Sequence, residues 1–168
     1  EKARQRHPGF FDAEGDPLHA TGARSGDVWY FASVRGVMHA VDTSGGQIRF
    51  LEPWSFQASD DAGIWIPASP SQHLAIHSAS GRIFALMAAV PDLEPKPGGY
   101  AFHRETGTEV WVFDEQSHER VDRFKLERGY AGAIAVSQDS EPLLYATAFK
   151  YADIYDARTG VRSRVLSD

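Results

Sequence analysis

The residues with which this 168-residue chain could do chemistry are seven histidines, scattered carboxylates and several serines. The histidines are His7, His19, His39, His73, His77, His103 and His118. His73 and His77 are four apart in a β-rich run, so they share a face of an extended strand. Their Cβ atoms would then stand ~13 Å apart, too far to share one ion. No third ligand follows nearby, whereas a zinc site needs a convergent set of three or four. Asp12, Glu14 and Asp16 around Gly15 alternate as the start of a calcium loop does. The glycine at the sixth place and the closing bidentate glutamate are missing, which makes a solvated turn the expectation. With no cysteine, disulfides and thiolate catalysis are excluded. Ser78, Ser80 and Ser137 lie outside any G-x-S-x-G elbow. Gly98-Gly99 precedes neither a helix start nor a Lys-Ser/Thr pair, so nothing marks a phosphate cradle. The expectation is a chain with no catalytic, cofactor-binding or metal-binding residue of its own.

One segment suggests recognition instead. Pro91, Pro95 and Pro97 lead into Gly98-Gly99 and then Tyr100 and Phe102, within a long insertion between two β-rich runs. Long Pro/Gly-rich connections are where surface contacts concentrate, and aromatic side chains serve as anchors there. Pro95, Gly99, Tyr100 and Phe102 are the candidate partner-contact residues. A loose connection with no partner is the competing reading.

These residues sit in a repeating frame. Four short β-rich runs separated by turn residues recur three times, over about 18–51, 73–124 and 131–166. Trp29, Phe84 and Leu144 hold equivalent places, 55 and 60 residues apart. Asp42, Asp114 and Asp156 each end the third run, where a carboxylate can accept backbone N–H bonds from the turn that follows. Gly45 and Gly160 offer the positive φ of tight turns. Asp60-Asp61-Ala62-Gly63 has the composition of a short helical turn, but Pro53, Pro67 and Pro70 bracket it. The fold expected is all-β, a propeller fragment of about three four-stranded blades, with a β-sandwich as the alternative. Three blades cannot close a ring. Their two outer faces would be apolar beyond what a lone soluble chain tolerates, so further blades or a partner must cover them.

A formal net charge of −6 with scattered basic residues argues against nucleic acid as a partner. No apolar run reaches the ~18–20 residues of a membrane span. The charged start, Glu1 to Arg6, is followed by no apolar stretch of signal-peptide type.

From Trp65 onward the sequence resembles the heavy subunit of the tryptophan tryptophylquinone amine dehydrogenases, the methylamine and aromatic amine types. The residues that carry this are Trp65-Ile66-Pro67, His77-Ser78-Ala79-Ser80-Gly81-Arg82-Ile83-Phe84 with Met87, and His103. Glu109-Val110-Trp111-Val112-Phe113-Asp114 and Arg120-Val121 follow, then Val136-Ser137-Gln138-Asp139 with Pro142-Leu143-Leu144-Tyr145-Ala146. Trp29-Tyr30-Phe31, Gly36-Val37 and Pro53-Trp54-Ser55 fit more loosely. Where the family has two glycines after the proline near Trp65, this chain reads Ala68-Ser69.

The resemblance implies a seven-bladed propeller, with about four N-terminal blades outside this sequence. It implies a periplasmic oxidoreductase that converts primary amines to aldehydes and ammonia. The quinone would lie on a separate light subunit, made from two of that subunit's tryptophans. The heavy subunit would dock the light subunit, pair into an α2β2 assembly, and share in a complex that passes electrons to a blue copper protein. No catalytic residue is carried over. Trp29, Trp54, Trp65 and Trp111 are not quinone precursors; Trp29 and Trp111, in β runs, are expected in the core. A non-catalytic propeller that binds proteins is the rival reading.

Overall fold

Alternating apolar and polar residues, broken by Gly, Asp and Pro, favour short strands over helices. The structure, a computed structural model, describes residues 18–33, 36–56, 58–60, 63–68, 73–90, 95–96, 99–100, 108–129 and 131–167. They contain no α-helix, and two short 3-10 turns stand among seventeen strands.

The first sheet runs in the order β1 (Leu18–Ser25), β2 (Val28–Ser33), β3 (Val37–Asp42) and β4 (Arg49–Phe50). The short β5 (Trp54–Ser55) pairs with the other half of the same β3 edge. Pro53 lies between β4 and β5, and a residue with no N–H interrupts a ladder at such an outer edge.

The second sheet is the largest. A hairpin of β6 (Ala58–Asp60) and β7 (Gly63–Pro67) precedes β8 (Leu74–His77) and β9 (Arg82–Val90). β8 pairs with the first half of β9 and β7 with the second, so together they fill one edge. The segment composed like a helical turn is thus a hairpin, with Asp60 opposite Gly63. Pairing to β9 outweighs local helix preference, which a prolyl-bracketed segment could not express. Between β9 and its next neighbour in the sheet, the chain forms a separate small hairpin, β10 (Pro95–Lys96) with β11 (Gly99–Tyr100). The sheet is completed by β12 (Thr108–Asp114) and β13 (Arg120–Lys125).

The third sheet is an unbroken antiparallel meander of β14 (Ala133–Val136), β15 (Leu143–Ala148), β16 (Tyr151–Asp156) and β17 (Arg162–Ser167). β8 lies beside both β1 and β14, so the first strands of the three units converge as propeller strands do around an axis. Trp29, Phe84 and Leu144 take the same place, each on the second strand and opposite Val41, Val112 and Tyr155.

Strand alternation divides the second sheet between two cores. Ile83, Ala85, Met87, Ala89, Trp111 and Phe113 face the first sheet, where they meet Tyr30, Ala32, Met38 and Ala40. Phe84, Leu86, Ala88, Val110 and Val112 face the third, against Ile134, Leu144, Ala146 and Tyr155. Burial on both faces explains why residues 83–89 are apolar without a break. Each large side chain so removed from water contributes about 1.5–3 kcal/mol.

The outer faces differ. Trp111 is core, at 1% exposure, but Trp29 is 39% exposed. The expectation of a buried Trp29 fails because its side of β2 turns away from the second sheet, and the Arg24 guanidinium covers it at 5.5 Å instead. Beside it lie the half-buried Phe31 and Val41. The far side of the third sheet carries half-buried Tyr145 and Ala152 and exposed Leu166.

Candidate functional site: a connection hairpin and the seams between blades

The third-strand aspartates are turn-builders. Asp42 accepts the Ser44 backbone N–H at 2.8 Å and the Arg49 guanidinium at 2.5 Å. Asp114 accepts the backbone N–H groups of Gln116 and Ser117 and pairs with Arg82. Asp156 accepts those of Arg158 and Thr159. The Ser44 N–H, then Arg49, lowers the Asp42 carboxyl to about 2. The Ser117 N–H leads in holding Asp114 low. For Asp156, burial acts upward, but the N–H and guanidinium of Arg158 and the N–H of Thr159 outweigh it. Each of these three carboxylates is thus taken up by the turn that follows its strand.

His73 and His77 are both buried at the inner edge of the second sheet. A carbonyl only accepts, so His77 Nε2 donates to Asp139 O at 3.0 Å, and Nδ1 accepts from Ser80 Oγ at 2.7 Å. The ring therefore ties β8 to the turn between β14 and β15. Gln138 reinforces it, donating to Ile76 O at 2.7 Å and accepting the Ser78 N–H at 3.1 Å. Ser137 Oγ accepts from the Leu143 N–H within the same turn. Among the described residues, no cluster of three His, Asp or Glu side chains could hold a metal. Asp12, Glu14, Asp16, His7 and His103 lie outside the described residues.

The seam between the first two sheets is closed by Glu115, which accepts from Ser25 Oγ at 3.0 Å and Tyr30 OH at 2.9 Å. Burial first, and then the Glu115 carboxylate, raise the Tyr30 phenol well above its ordinary range, which keeps it a donor. Nearby, Trp54 stacks on His118 at 4.8 Å and packs against Phe113 at 5.4 Å.

Between the second and third sheets, buried Asp153 takes Arg128 Nε at 2.9 Å and stands 3.7 Å from Arg162. Arg162 also reaches Glu127 at 2.6 Å. Glu115 and Asp153 carried no mark of these roles in the sequence, because Tyr30 and Arg128 are brought beside them only by the packing of the sheets.

Pro95, Gly99 and Tyr100 of the candidate contact segment lie in the β10–β11 hairpin, Pro95 opposite Tyr100 and Lys96 opposite Gly99. Phe102 lies outside the described residues.

No curated protein sequence matches the chain. Solved structures match its fold at low identity. They include Saccharomyces cerevisiae Sqt1, with 14% identity and TM-score 0.53, over 90% of this chain and 35% of that one. Kuenenia stuttgartiensis hydrazine synthase matches with 12% identity and TM-score 0.54, over 88% and 35%. The WD40 repeats of RRP9 match with 13% identity and TM-score 0.50, over 84% and 36%. The chain thus spans about a third of the length of these propeller structures. The profile of the methylamine dehydrogenase heavy chain family matches residues 6–168, nearly the whole sequence. With that match over nearly the whole chain and three propeller-type sheets in place, the chain belongs to the methylamine dehydrogenase heavy chain family.

Proposed function

We propose that this chain is the C-terminal portion of the heavy subunit of a periplasmic quinoprotein amine dehydrogenase. The family match over residues 6–168 carries this reading. The enzyme oxidises primary amines to aldehydes and ammonia, and the electrons leave to a copper protein.

The tryptophan tryptophylquinone belongs on a light subunit. This chain's own adjacent pair does not fit that group: Trp65 and Trp111, 5.4 Å apart, are 4% and 1% exposed within the apolar core. An amine could not reach them, so these two tryptophans are not the quinone's precursors. Its part is rigid support. The apolar seams, Glu115, the His77–Gln138 contacts and Arg128–Asp153 hold the sheets in register, so the connections between strands present a fixed surface to the light subunit. The apolar outer sides of the first and third sheets support the same reading, since further blades of a ring would cover them.

Purification of the native complex from its source periplasm tests this, with native mass spectrometry and amine-dependent dye reduction as readouts. The expected result is a heavy chain carrying this sequence, bound to a light chain whose mass shows a modified tryptophan pair. A propeller that copurifies only with unrelated proteins, and reduces no dye, would establish a protein-binding module instead.

A further inference from the structure

The turn between β8 and β9 puts an accessible hydroxyl against a shielded base. Ser78, Ala79 and Ser80 form a 3-10 turn, and all three are exposed. Gly81 follows with φ +60, so the chain reverses directly after Ser80 and leaves that side chain at the crest. β8 lies beside both β1 and β14, nearest the axis on which the sheets converge. In a closed ring this turn therefore stands at one mouth of the central channel.

The two ring nitrogens of His77 do different things. Nε2 donates to Asp139 O at 3.0 Å, across the seam to the third sheet. That bond fixes the proton on Nε2 and leaves a lone pair on Nδ1. Ser80 Oγ lies 2.7 Å from Nδ1, within the roughly 2.6–3.2 Å over which a base can take a nucleophile's proton. The hydroxyl's other acceptor, His77 O, stands at 3.4 Å, so the ring nitrogen is the stronger partner. His77 is 3% exposed, whereas Ser80 is open to solvent. Other serine hydroxyls are placed differently. Ser163 Oγ donates to Ile154 O, a carbonyl that takes no proton, and Ser117 Oγ donates to Asp114, a carboxylate held low.

We propose that Ser80 is a nucleophile with His77 as its general base, and that it accepts acyl groups from small activated esters. Nδ1 takes the Oγ proton as Oγ attacks the ester carbonyl carbon. The bond from that carbon to the alcohol oxygen then breaks, and the departing oxygen takes the proton from Nδ1. The products are an O-acyl serine and a free alcohol, with His77 neutral again. The Nε2 bond to Asp139 O holds the ring in place while it carries the second proton, the part a third group plays behind a nucleophile's base. No light subunit is needed for this step.

The test treats the full-length heavy chain, folded and urea-unfolded, with 4-nitrophenyl acetate and locates the acetyl group by peptide mass mapping. Ser80 is expected to acetylate about a hundredfold faster than the neighbouring, likewise exposed Ser78, and to lose that advantage on unfolding. Ser80→Ala should abolish the fast reaction while the chain stays folded. His77→Gln should slow acetylation of Ser80 to the rate of Ser78. Since the ring also ties two sheets, a second pair of variants, Ser80→Cys and Ser78→Cys, keeps His77 in place. The thiol at position 80 should react with iodoacetamide at least about tenfold faster than the one at position 78. Equal rates at the two positions, or a Ser80 rate unchanged by unfolding, would leave Ser80 a turn residue and overturn the proposal. Fast acetylation of Ser80 that survives in folded His77→Gln would overturn it as well.

Discussion

Tyr30 on β2 donates its phenolic hydrogen bond to Glu115, 2.9 Å away on the turn after β12, and so joins the first two sheets across their seam. The acceptor is charged and the ring is buried, a combination that strengthens such a bond. Tyr30→Phe should lower the stability of the full-length protein by about 1–2 kcal/mol. Glu115→Gln should cost less, since an amide oxygen still accepts one of the two bonds. Urea unfolding with matched m-values checks the pair.

Gln138 and His77 should matter together. Gln138→Ala removes the bonds to Ile76 O and the Ser78 N–H, at a cost of about 1–2 kcal/mol. His77→Ala also leaves a cavity at the inner edge of the second sheet. The double variant should lose less than the sum of the singles, because both side chains hold the same turn against β8. A double-mutant cycle on thermal midpoints would show that coupling, and strict additivity would refute it.

Arg128→Met should be the most damaging of the polar changes. It strips the nearer cation from Asp153, a carboxylate 3% exposed, and leaves Arg162 at 3.7 Å. The expected loss is about 3 kcal/mol, the low end for breaking a buried pair, because the guanidinium is itself 34% exposed. Replacing Asp153 by Asn in the same background should restore part of the loss, since it removes the stranded charge. No recovery in that double variant would show that packing on Tyr151, not charge, sets the role of Arg128.

Acid should loosen the hairpins first. Asp42, Asp114 and Asp156 all have carboxyls held below their unfolded values. Stability from such groups is fully present above the unfolded value and is lost as pH falls through the folded one. For Asp42 that window runs from 3.8 down to about 2. Asp42→Asn should therefore flatten the acid limb of stability between those pH values and have a smaller pH dependence there than the wild type. Far-UV circular dichroism of unfolding at stepped pH checks this. An acid limb unchanged in Asp42→Asn would show that other groups carry it.

Much of the architecture could be read before any coordinates. The Asp turns, the strand alternation and the threefold recurrence arise from contacts between residues a few places apart, so they leave a local trace. Asp156 and Gly160 illustrate this, with the Gly160 N–H closing back onto Asp156 O at 2.9 Å and φ at +68. Strand β7 escaped because its strand identity comes from pairing with β9, twenty to twenty-six residues on. Proline, glycine and aromatic content suggest a contact segment at Pro95, Gly99, Tyr100 and Phe102, while Glu115 and Asp153, which join sheets, carried no comparable local signal.

By itself, then, the sequence determined that this chain forms short, turn-punctuated strands in three like units. Only the tertiary structure decided which strand faces meet. It buried Trp111 and exposed Trp29, set His77 against Asp139 from sixty-two residues away, and laid Arg128 over the Tyr151 ring. The physical reason is that composition and period specify which side of a strand is apolar, whereas what lies against that side depends on neighbours brought together through space.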